Sequence, residues 1–378
     1  PLLQGAINIL KNKCPDYLII AGDLTSTGSP LEFKYCYQAI LSLGQAIGVD
    51  GSKIFFCMGN HDVDWRITRL IDAYSATNKY KNDDVELLKN FYQSCASSVS
   101  KDILSYEEYK YLHPNYTATW EKPFSGVIED DRCVFFVLNS SYMSSHDQEL
   151  KHGVLSVEQL SWFSKQAVKY KSINKLKIVL LHHHPYAYQN LLPSLDPSIL
   201  EESGELSNIC GNNGIELILH GHKHQPQAKT INQTGWLNPV TYICAGSLSV
   251  NVSERQQTIP NTLHFIDYHA LHQIELKNYS YTPEDGWFPS KYCAATPVDD
   301  TMYLGKIPDI NSVEKTIQNL PHNKSIEYDF LSSQNDNIKY ITREILSQLI
   351  KKMHPTCELY QKDLDSFIIF SYEESNHE

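Results

Sequence analysis

Three short polar segments of this sequence carry side chains of types that can bind metal ions. Asp23 follows a glycine, and the segment Gly-Asn-His-Asp at 59–62 sets an amide, an imidazole and a second carboxylate side by side. The segment Gly-His-Lys-His at 221–224 offers two imidazoles two residues apart, which places both rings on one side of an extended loop. Because a carboxylate has two oxygens and can bridge two cations, the pattern predicts a site for two neighbouring metal ions.

A fourth segment contains three consecutive histidines, His182, His183 and His184, followed by a proline. Consecutive residues that leave a strand alternate in direction, so the three rings cannot all face one centre. We expect one of them, at most two, to bind metal and the others to support the site or pack beside it. The sequence leaves open which one binds.

Each polar segment follows an apolar run of strand length. The runs occupy residues 17–21, 54–58, 134–138, 178–181, 215–219 and 241–245. Continuous apolar strands are typical of a sheet that is buried on both faces. Ser29 and Ser156 begin helix signals between these runs, each with a Glu or Gln three residues later. Strands that alternate with helices predict a layered α/β fold, whose ligands bind beyond the carboxyl ends of the strands.

The alternation is interrupted twice. Residues 67–124, rich in Tyr, Lys, Asn and Ser, predict a helical insertion that caps the site. After residue 275 the composition shifts towards Pro, Tyr and Asn, which predicts a domain at 1–275 and a smaller C-terminal accessory α+β module at 276–378. Within that module we expect a helix at 338–353, with Ile345 on its apolar face, and a strand at 367–370.

Composition narrows the classes of protein. The 378 residues include 32 Lys and Arg against 44 Asp and Glu, a formal net charge of −12. This acidity disfavours broad electrostatic binding to duplex nucleic acid or to anionic membranes. No apolar run reaches the roughly 18 residues that a membrane span needs, and nine cysteines without a CxxC pair favour reduced thiols. We expect a folded, cytoplasmic protein that does not enter a membrane.

In their order along the chain, the polar segments resemble the signature of the calcineurin-like metallophosphoesterase superfamily. That signature reads Asp-x-His, Gly-Asp, Gly-Asn-His-Asp or Gly-Asn-His-Glu, His, and Gly-His-x-His. Four of the five blocks occur here, across about residues 2–276. The resemblance implies a metallophosphoesterase-type β-sandwich flanked by helices. It also implies two divalent ions, and mixed oxygen and imidazole donors suit Mn²⁺, Fe or Zn²⁺.

The resemblance also implies a role for each matching residue. Asp23 would be the carboxylate that bridges the two ions. The remaining ligands would be Asn60, His182 and His222 for one ion and His224 for the other. The expected centre is therefore dinuclear.

The implied reaction is phosphoester hydrolysis by a hydroxide that bridges the two ions. His61 would lie beside the phosphate and protonate the leaving oxygen, and Asp62 would orient it. The Gly-Asp block continues Leu-Thr-Ser-Thr-Gly and the next block ends in Asp62 rather than Glu. Both features resemble the phosphodiesterase branch, with its cyclic-nucleotide phosphodiesterases, more than protein phosphatases. We expect a small phosphodiester substrate, such as a nucleotide.

The missing Asp-x-His block is the departure from the signature. Residues 1–21 contain Asp16 but no histidine, and residues 2–10 are typical of the helix that follows this block. We therefore expect the block and its strand to precede Pro1. The segment Asp-Tyr-His at 267–269 has the right spacing, but its late position fits a final strand and turn better.

Two alternative functions stay open. One is a regulatory or binding module with an impaired metal site, which would contact a protein partner through the insertion or the tail. The other is a phosphomonoesterase that acts on phosphorylated sugars or nucleotides at the same site.

Overall fold

The computed structural model of the chain describes residues 2–63, 125–141, 144, 153–186, 199–249, 259–269, 272–290, 301–321, 325–361 and 367–371. The chain divides into two compact units. The first comprises Pro1–Ala228 and Asn232–Asn261, and the second comprises Lys229–Ile231 and Thr262–Glu378. The predicted helical insertion at 67–124 lies outside the described residues.

The first unit supplies the elements that precede the polar segments. Its described helices are α1 (Leu2–Lys13), α2 (Pro30–Ile47), α3 (Val157–Tyr170) and α4 (Ser203–Asn212). Its described strands are β1 (Leu18–Ile20), β2 (Ile54–Phe56), β3 (Gly126–Glu129), β4 (Cys133–Val137), β5 (Leu176–Leu180), β6 (Leu217–His220), β7 (Gln227–Ile231) and β8 (Val240–Cys244). The last three residues of β7 belong to the second unit.

The strands of the first unit form two sheets. β1 and β2 pair in parallel, with Ile19 opposite Phe55. The second sheet has the order β3-β4-β5-β6-β8-β7, in which β4, β5, β6 and β8 run parallel and β3 is antiparallel to β4. The sheets meet where Phe55 stacks on Phe135 of β4, with ring centroids 4.0 Å apart. The predicted α/β class, with central sheets flanked by helices, is confirmed.

Both predicted helix-start signals are present in the structure. Ser29 Oγ accepts a hydrogen bond from the Glu32 amide. α2 begins at the proline that directly follows Ser29. Ser156 Oγ does the same for Gln159, and α3 begins directly after it. α3 then packs on β4 through Phe163, whose ring meets that of Phe136 edge-on at 5.5 Å. The caps therefore fix where the flanking helices start.

The second unit combines two small sheets with helices. Its described strands are β9 (Asn261–His269), β10 (Gln273–Thr282), β11 (Gly286–Pro289), β12 (Thr301–Leu304), β13 (Ile326–Glu327), β14 (Cys357–Gln361) and β15 (Phe367–Ser371). The first residue of β9, Asn261, belongs to the first unit. Its described helices are α5 (Ile310–Gln318), α6 (Tyr328–Gln334) and α7 (Arg343–Met353). β10 lies between β11 and β12 and also pairs with β9, while β15 lies between β13 and β14. The strand predicted at 367–370 is confirmed as β15.

The helix predicted at 338–353 is wrong as a single element. Residues Asp336–Tyr340 form a 3₁₀ turn, and Ile341 is extended with φ −102° and ψ 149°. Thr342 then caps α7 by accepting a hydrogen bond from the Ile345 amide at 3.2 Å. The cap starts a new helix, and Ile345 is 39% exposed rather than on the apolar face.

Two further expectations concern membranes and thiols. Among the helices that the structure describes, none has both the length and the apolar character that crossing a bilayer requires. The seven cysteines within the described ranges form no disulfide with one another.

Candidate metal centre

The polar segments of the first unit follow β1, β2, β5 and β6 directly, so they lie at the carboxyl ends of parallel strands. Three of their residues adopt left-handed backbone conformations, with φ of 56° at Asp23, 84° at His222 and 55° at His224. Such angles are uncommon outside glycine and cost free energy, which the contacts around these residues must offset.

Three predicted ligands converge on one atom of a fourth, Nε2 of His182. It lies 3.0 Å from Oδ1 of Asn60 and 3.2 Å from Nδ1 of His222. Oδ2 of Asp23 is 3.3 Å away. Asn60 and His222 also approach each other directly, with 2.9 Å between Oδ1 and Nδ1. The structure thus brings together Asp23, Asn60, His182 and His222.

The tautomer of His182 shows what this cluster can hold. Its Nδ1 lies 2.7 Å from the carbonyl oxygen of Ala21, and because a carbonyl only accepts, Nδ1 carries the proton. In the neutral ring Nε2 therefore presents a lone pair to the oxygens of Asn60 and Asp23, which also present lone pairs. A bound cation would give all of these acceptor atoms a common partner. An imidazole anchored through its other nitrogen is the usual arrangement of a metal-binding histidine.

The charge balance in the cluster agrees with a cation site. Burial opposes ionisation of Asp23, but the neighbouring His182, His61 and His222 hold the pKa of its carboxyl well below the ordinary value. Burial also disfavours the charged form of His182, yet the Asp23 carboxylate outweighs it and raises the pKa of that imidazole. Burial and the other histidines lower the pKa of His222 well below its ordinary value. The cluster therefore favours one positive charge beside Asp23, the position a metal ion would take.

His61 and Asp62 adjoin the cluster through the backbone. The His61 amide donates to Oδ1 of Asp23 at 3.1 Å, and its ring Nδ1 lies 3.1 Å from the Ser26 carbonyl. Asp62 is 2% exposed and accepts from the amides of Thr25 and Gly59, both at 2.8 Å. Its carboxylate thus ties the segment after β1 to the segment after β2. Burial and the nearby Asp23 charge raise the pKa of Asp62 to about 6, against the lowering effect of these amides.

Glycine is required at two of these close approaches. A Cβ added at Gly59 would overlap Oδ1 and the amide nitrogen of Asp23. A Cβ at Gly221 would lie 2.9 Å from the carbonyl of Ala21, the same carbonyl that anchors His182. Both glycines therefore allow the backbone to approach the ligands closely.

The three consecutive histidines have different surroundings. His182 joins the cluster, whereas Nδ1 of His183 lies 3.0 Å from Oγ of the buried Ser140. The ring of His184 faces that of His220, with centroids 4.9 Å apart. The structure thus favours His182 among the three as the residue that joins Asp23, Asn60 and His222. His224 lies two residues beyond His222 on the same loop and is half-buried.

Two residues that support the cluster were not among the site residues predicted from the sequence. Ser140 Oγ accepts from the amides of His182 at 3.3 Å and His183 at 3.2 Å. Thr25 Oγ1 lies 2.9 Å from the His61 carbonyl and 3.0 Å from Oδ1 of Asp62. Each lies within five residues of the end of an apolar run, and this position was the only feature of the sequence that indicated a role in the site.

The segment Asp-Tyr-His at 267–269 lies in β9, within the second unit. The side chain of His269 is 46% exposed, with Nε2 lying 3.6 Å from Oε1 of Glu275. The segment therefore lies in a regular strand, as its late position suggested.

Oxygen and imidazole donors thus gather at the strand ends of a layered α/β scaffold, which is the arrangement of a candidate metal centre. The chain belongs to the calcineurin-like phosphoesterase family, whose sequence profile matches residues 2–226. This match confirms the family that the ordered segments predict, and with it the class of metal-dependent phosphoesterase.

Several solved structures are similar to this chain, among them two phosphatases. One is a dimetal phosphatase from Danio rerio, 13% identical over 77% of this chain and 88% of that chain, with a TM-score of 0.41. The other is a purple acid phosphatase from seeds of yellow lupin (Lupinus luteus), 14% identical over 80% of this chain, with a TM-score of 0.44. The match covers 49% of the lupin chain. No curated protein matches the chain.

Proposed function

We propose that this protein hydrolyses small phosphodiesters, such as a nucleotide or a cyclic nucleotide, with two divalent ions. The observation that supports this most is the set of acceptor atoms around Nε2 of His182 with His61 beside it. When bound, the ions would lower the pKa of a water molecule and neutralise charge on the phosphoryl oxygens. The donor set suits Mn²⁺, Fe or Zn²⁺.

The chain's own residues would position the ions and move one proton. Asp23, Asn60, His182 and His222 would hold the first ion, and Asp23 and His224 would contribute to the second. His61 would protonate the leaving oxygen: its Nδ1 donates to the Ser26 carbonyl, so Nε2 is the nitrogen that gains and gives the proton. Asp62 would act as a positioning residue, because its contacts to Thr25 and Gly59 hold the His61 segment against Asp23.

Two features of the sequence favour a diester. The segment after Asp23 continues Leu-Thr-Ser-Thr-Gly, and the Gly-Asn-His block ends in Asp62 rather than Glu. Both resemble the phosphodiesterase branch more than protein phosphatases. A monoesterase remains the second candidate, and an impaired binding module the third.

The test uses purified protein loaded with Mn²⁺ and compares bis(p-nitrophenyl) phosphate with p-nitrophenyl phosphate. We expect a higher kcat/KM on the diester, and a value higher on the monoester would favour the second candidate. If the protein hydrolysed neither compound with Mn²⁺, Fe²⁺ or Zn²⁺, the impaired binding module would be the remaining candidate.

The role of His61 is tested through the leaving group. In His61→Asn we expect kcat to fall about 100-fold or more on an alkyl ester, whose leaving oxygen needs a proton. The loss should be much smaller on the p-nitrophenyl ester, because nitrophenolate leaves without one. His269→Asn, an exposed site in β9, is the matched control. Equal losses on both esters would exclude proton donation by His61.

A further inference from the structure

We propose that His184, His220 and Cys244 form a third metal site, which binds zinc or a similar thiophilic divalent ion. One ligand atom from each residue lies within 4.8 Å of those of the other two. The three side chains are 4%, 0% and 0% exposed. This group is the inner cluster of the first unit, and it is separate from the donor atoms around His182.

Neighbouring parallel strands bring the inner cluster together. His220 is the last residue of β6 and Cys244 the last residue of β8, and the two are register partners across the sheet. His184 follows β5, the other neighbour of β6, and is held by a bridge to Ile199. The carbonyl of His184 accepts from the Leu200 amide at 2.8 Å. Backbone pairing therefore fixes all three positions before any metal binds.

The geometry suits a tetrahedral ion. Zinc binds sulfur at about 2.3 Å and imidazole nitrogen at about 2.0–2.1 Å, so its ligand atoms lie roughly 3.3–3.7 Å apart. The three atoms of the inner cluster need to close by only about 1 Å to reach that spacing, which side-chain rotation can supply. Three protein ligands leave the fourth position to a water molecule or another small ligand.

The chemistry of the inner cluster differs from that of the first centre. A thiolate with two imidazoles selects zinc-like ions, whereas the carboxylate and amide oxygens of Asp23 and Asn60 also accept harder ions such as Mn²⁺. Cys244 Sγ lies 3.5 Å from the Gly221 carbonyl and 3.6 Å from the Ala245 carbonyl. When an ion binds, the thiol would lose its proton and the thiolate would become a ligand.

An ion bound by the inner cluster would link the ends of β5, β6 and β8 to one another, at the point where β6 continues to His222. The rings of His184 and His222 are 6.2 Å apart, so the two sets of donors are neighbours. An ion in the inner cluster would therefore stabilise the loop that supplies His222 to the first centre.

The test is cobalt titration of the whole chain in its Asp23→Asn form, in which the first centre is impaired and activity is not the readout. A thiolate bound to Co²⁺ gives a charge-transfer absorption in the near ultraviolet. We expect this band at one equivalent, its loss in Cys244→Ser, and its retention in Cys210→Ser. Cys210 is the matched control because it is equally buried, in α4.

A second measurement does not depend on how a cysteine variant folds. X-ray absorption of the Asp23→Asn protein loaded with one equivalent of Zn²⁺ should show one sulfur and two or three nitrogen or oxygen ligands. The Tm of this protein should also rise with Zn²⁺ more than that of Cys244→Ser. A zinc shell without sulfur, or a cobalt band that survives in Cys244→Ser, would overturn the proposal.

Discussion

Nε2 of His182 and Nδ1 of His222 lie 3.2 Å apart, although the two rings belong to loops that are 40 residues apart in sequence. With Nδ1 of His182 donating to the Ala21 carbonyl, its Nε2 has only a lone pair to offer unless a second proton binds. Two ring nitrogens this close either share a hydrogen bond or bind one metal ion. The loops after β5 and β6 therefore place both nitrogens where a single ion could bind them.

The first prediction concerns the carboxylate at this position. Asp23→Asn keeps the shape of the side chain but removes its charge, so metal affinity should fall at least tenfold, and phosphoesterase activity should fall with it. Wild-type protein should gain about 3 kcal/mol of stability at a Mn²⁺ concentration 100 times Kd, and the variant should gain much less. Calorimetric titration and thermal unfolding with and without chelator measure both effects.

The control for this change is Asp50→Asn. Asp50 caps the turn at 51–53 through its bond to the Ser52 amide and is exposed, so its loss costs stability without touching a ligand. If Asp23→Asn retained wild-type affinity for Mn²⁺, Asp23 would not be a metal ligand.

Thr25 provides a test of positioning. Thr25→Val removes the hydroxyl that lies near the His61 carbonyl and Asp62, so the loops after β1 and β2 should hold together less well. We expect a loss of about 1 kcal/mol in the free energy of unfolding and about a tenfold lower kcat, with metal content at saturation unchanged. Thr27→Val is the matched control, because the exposed Thr27 bonds Glu32 instead. A lower metal content with unchanged kcat per bound ion would contradict this role.

Gly59 tests the close approach to Asp23. In Gly59→Ala the new Cβ would overlap Oδ1 of Asp23, which forces the carboxylate or the loop to move. We expect a loss of about 1–3 kcal/mol in stability together with weaker metal binding, measured by denaturant unfolding and titration. Gly204→Ala in α4 meets no atom within 4 Å and should be neutral or slightly stabilising. Equal behaviour of the two variants would show that Asp23 has room to adjust.

The last prediction concerns pH and the second unit. Both ring nitrogens of His264 in β9 are buried without a hydrogen-bond partner among the described residues, and burial lowers the pKa of this imidazole from 6.5 to about 4. The folded state then binds fewer protons than the unfolded state between these values. Stability should therefore fall as the pH drops from about 6.5 towards 4, by at most about 3 kcal/mol.

His264→Phe should remove this part of the pH dependence, because phenylalanine fills similar space and does not titrate. His269→Gln, at an exposed position of the same strand, should leave it in place. Chemical unfolding at several pH values between 4 and 7 measures the slope. An unchanged slope in His264→Phe would show that other groups cause it.

Local signals in the sequence predicted most of the catalytic fold. The caps at Ser29 and Ser156 and the apolar strand runs act over a few residues, so their outcome depends little on the rest of the chain. The division of the helix at 338–353 was not predictable in this way. Helical periodicity continued through Ile341, and only the cap formed by Thr342 separates the two elements.

The sequence predicted which residue types build the site, but not which side chains contact one another. The order of the polar segments indicated which residues would gather, and the structure brings three of them to His182. Which of three adjacent histidines turns towards Asp23 depends on contacts with Ser140 and His220, which are distant in sequence. The orientation of each histidine depends on long-range packing, which a short sequence pattern does not predict.

The left-handed backbone at Asp23, His222 and His224 affects how this chain would respond to selection for thermal stability. Each such residue costs on the order of 1–3 kcal/mol, a cost that glycine would avoid. Selection for thermal stability alone should therefore replace these residues with glycine or asparagine and lose the metal centre, whereas selection for turnover should keep them. The loops at the strand ends embody a trade-off between stability and activity.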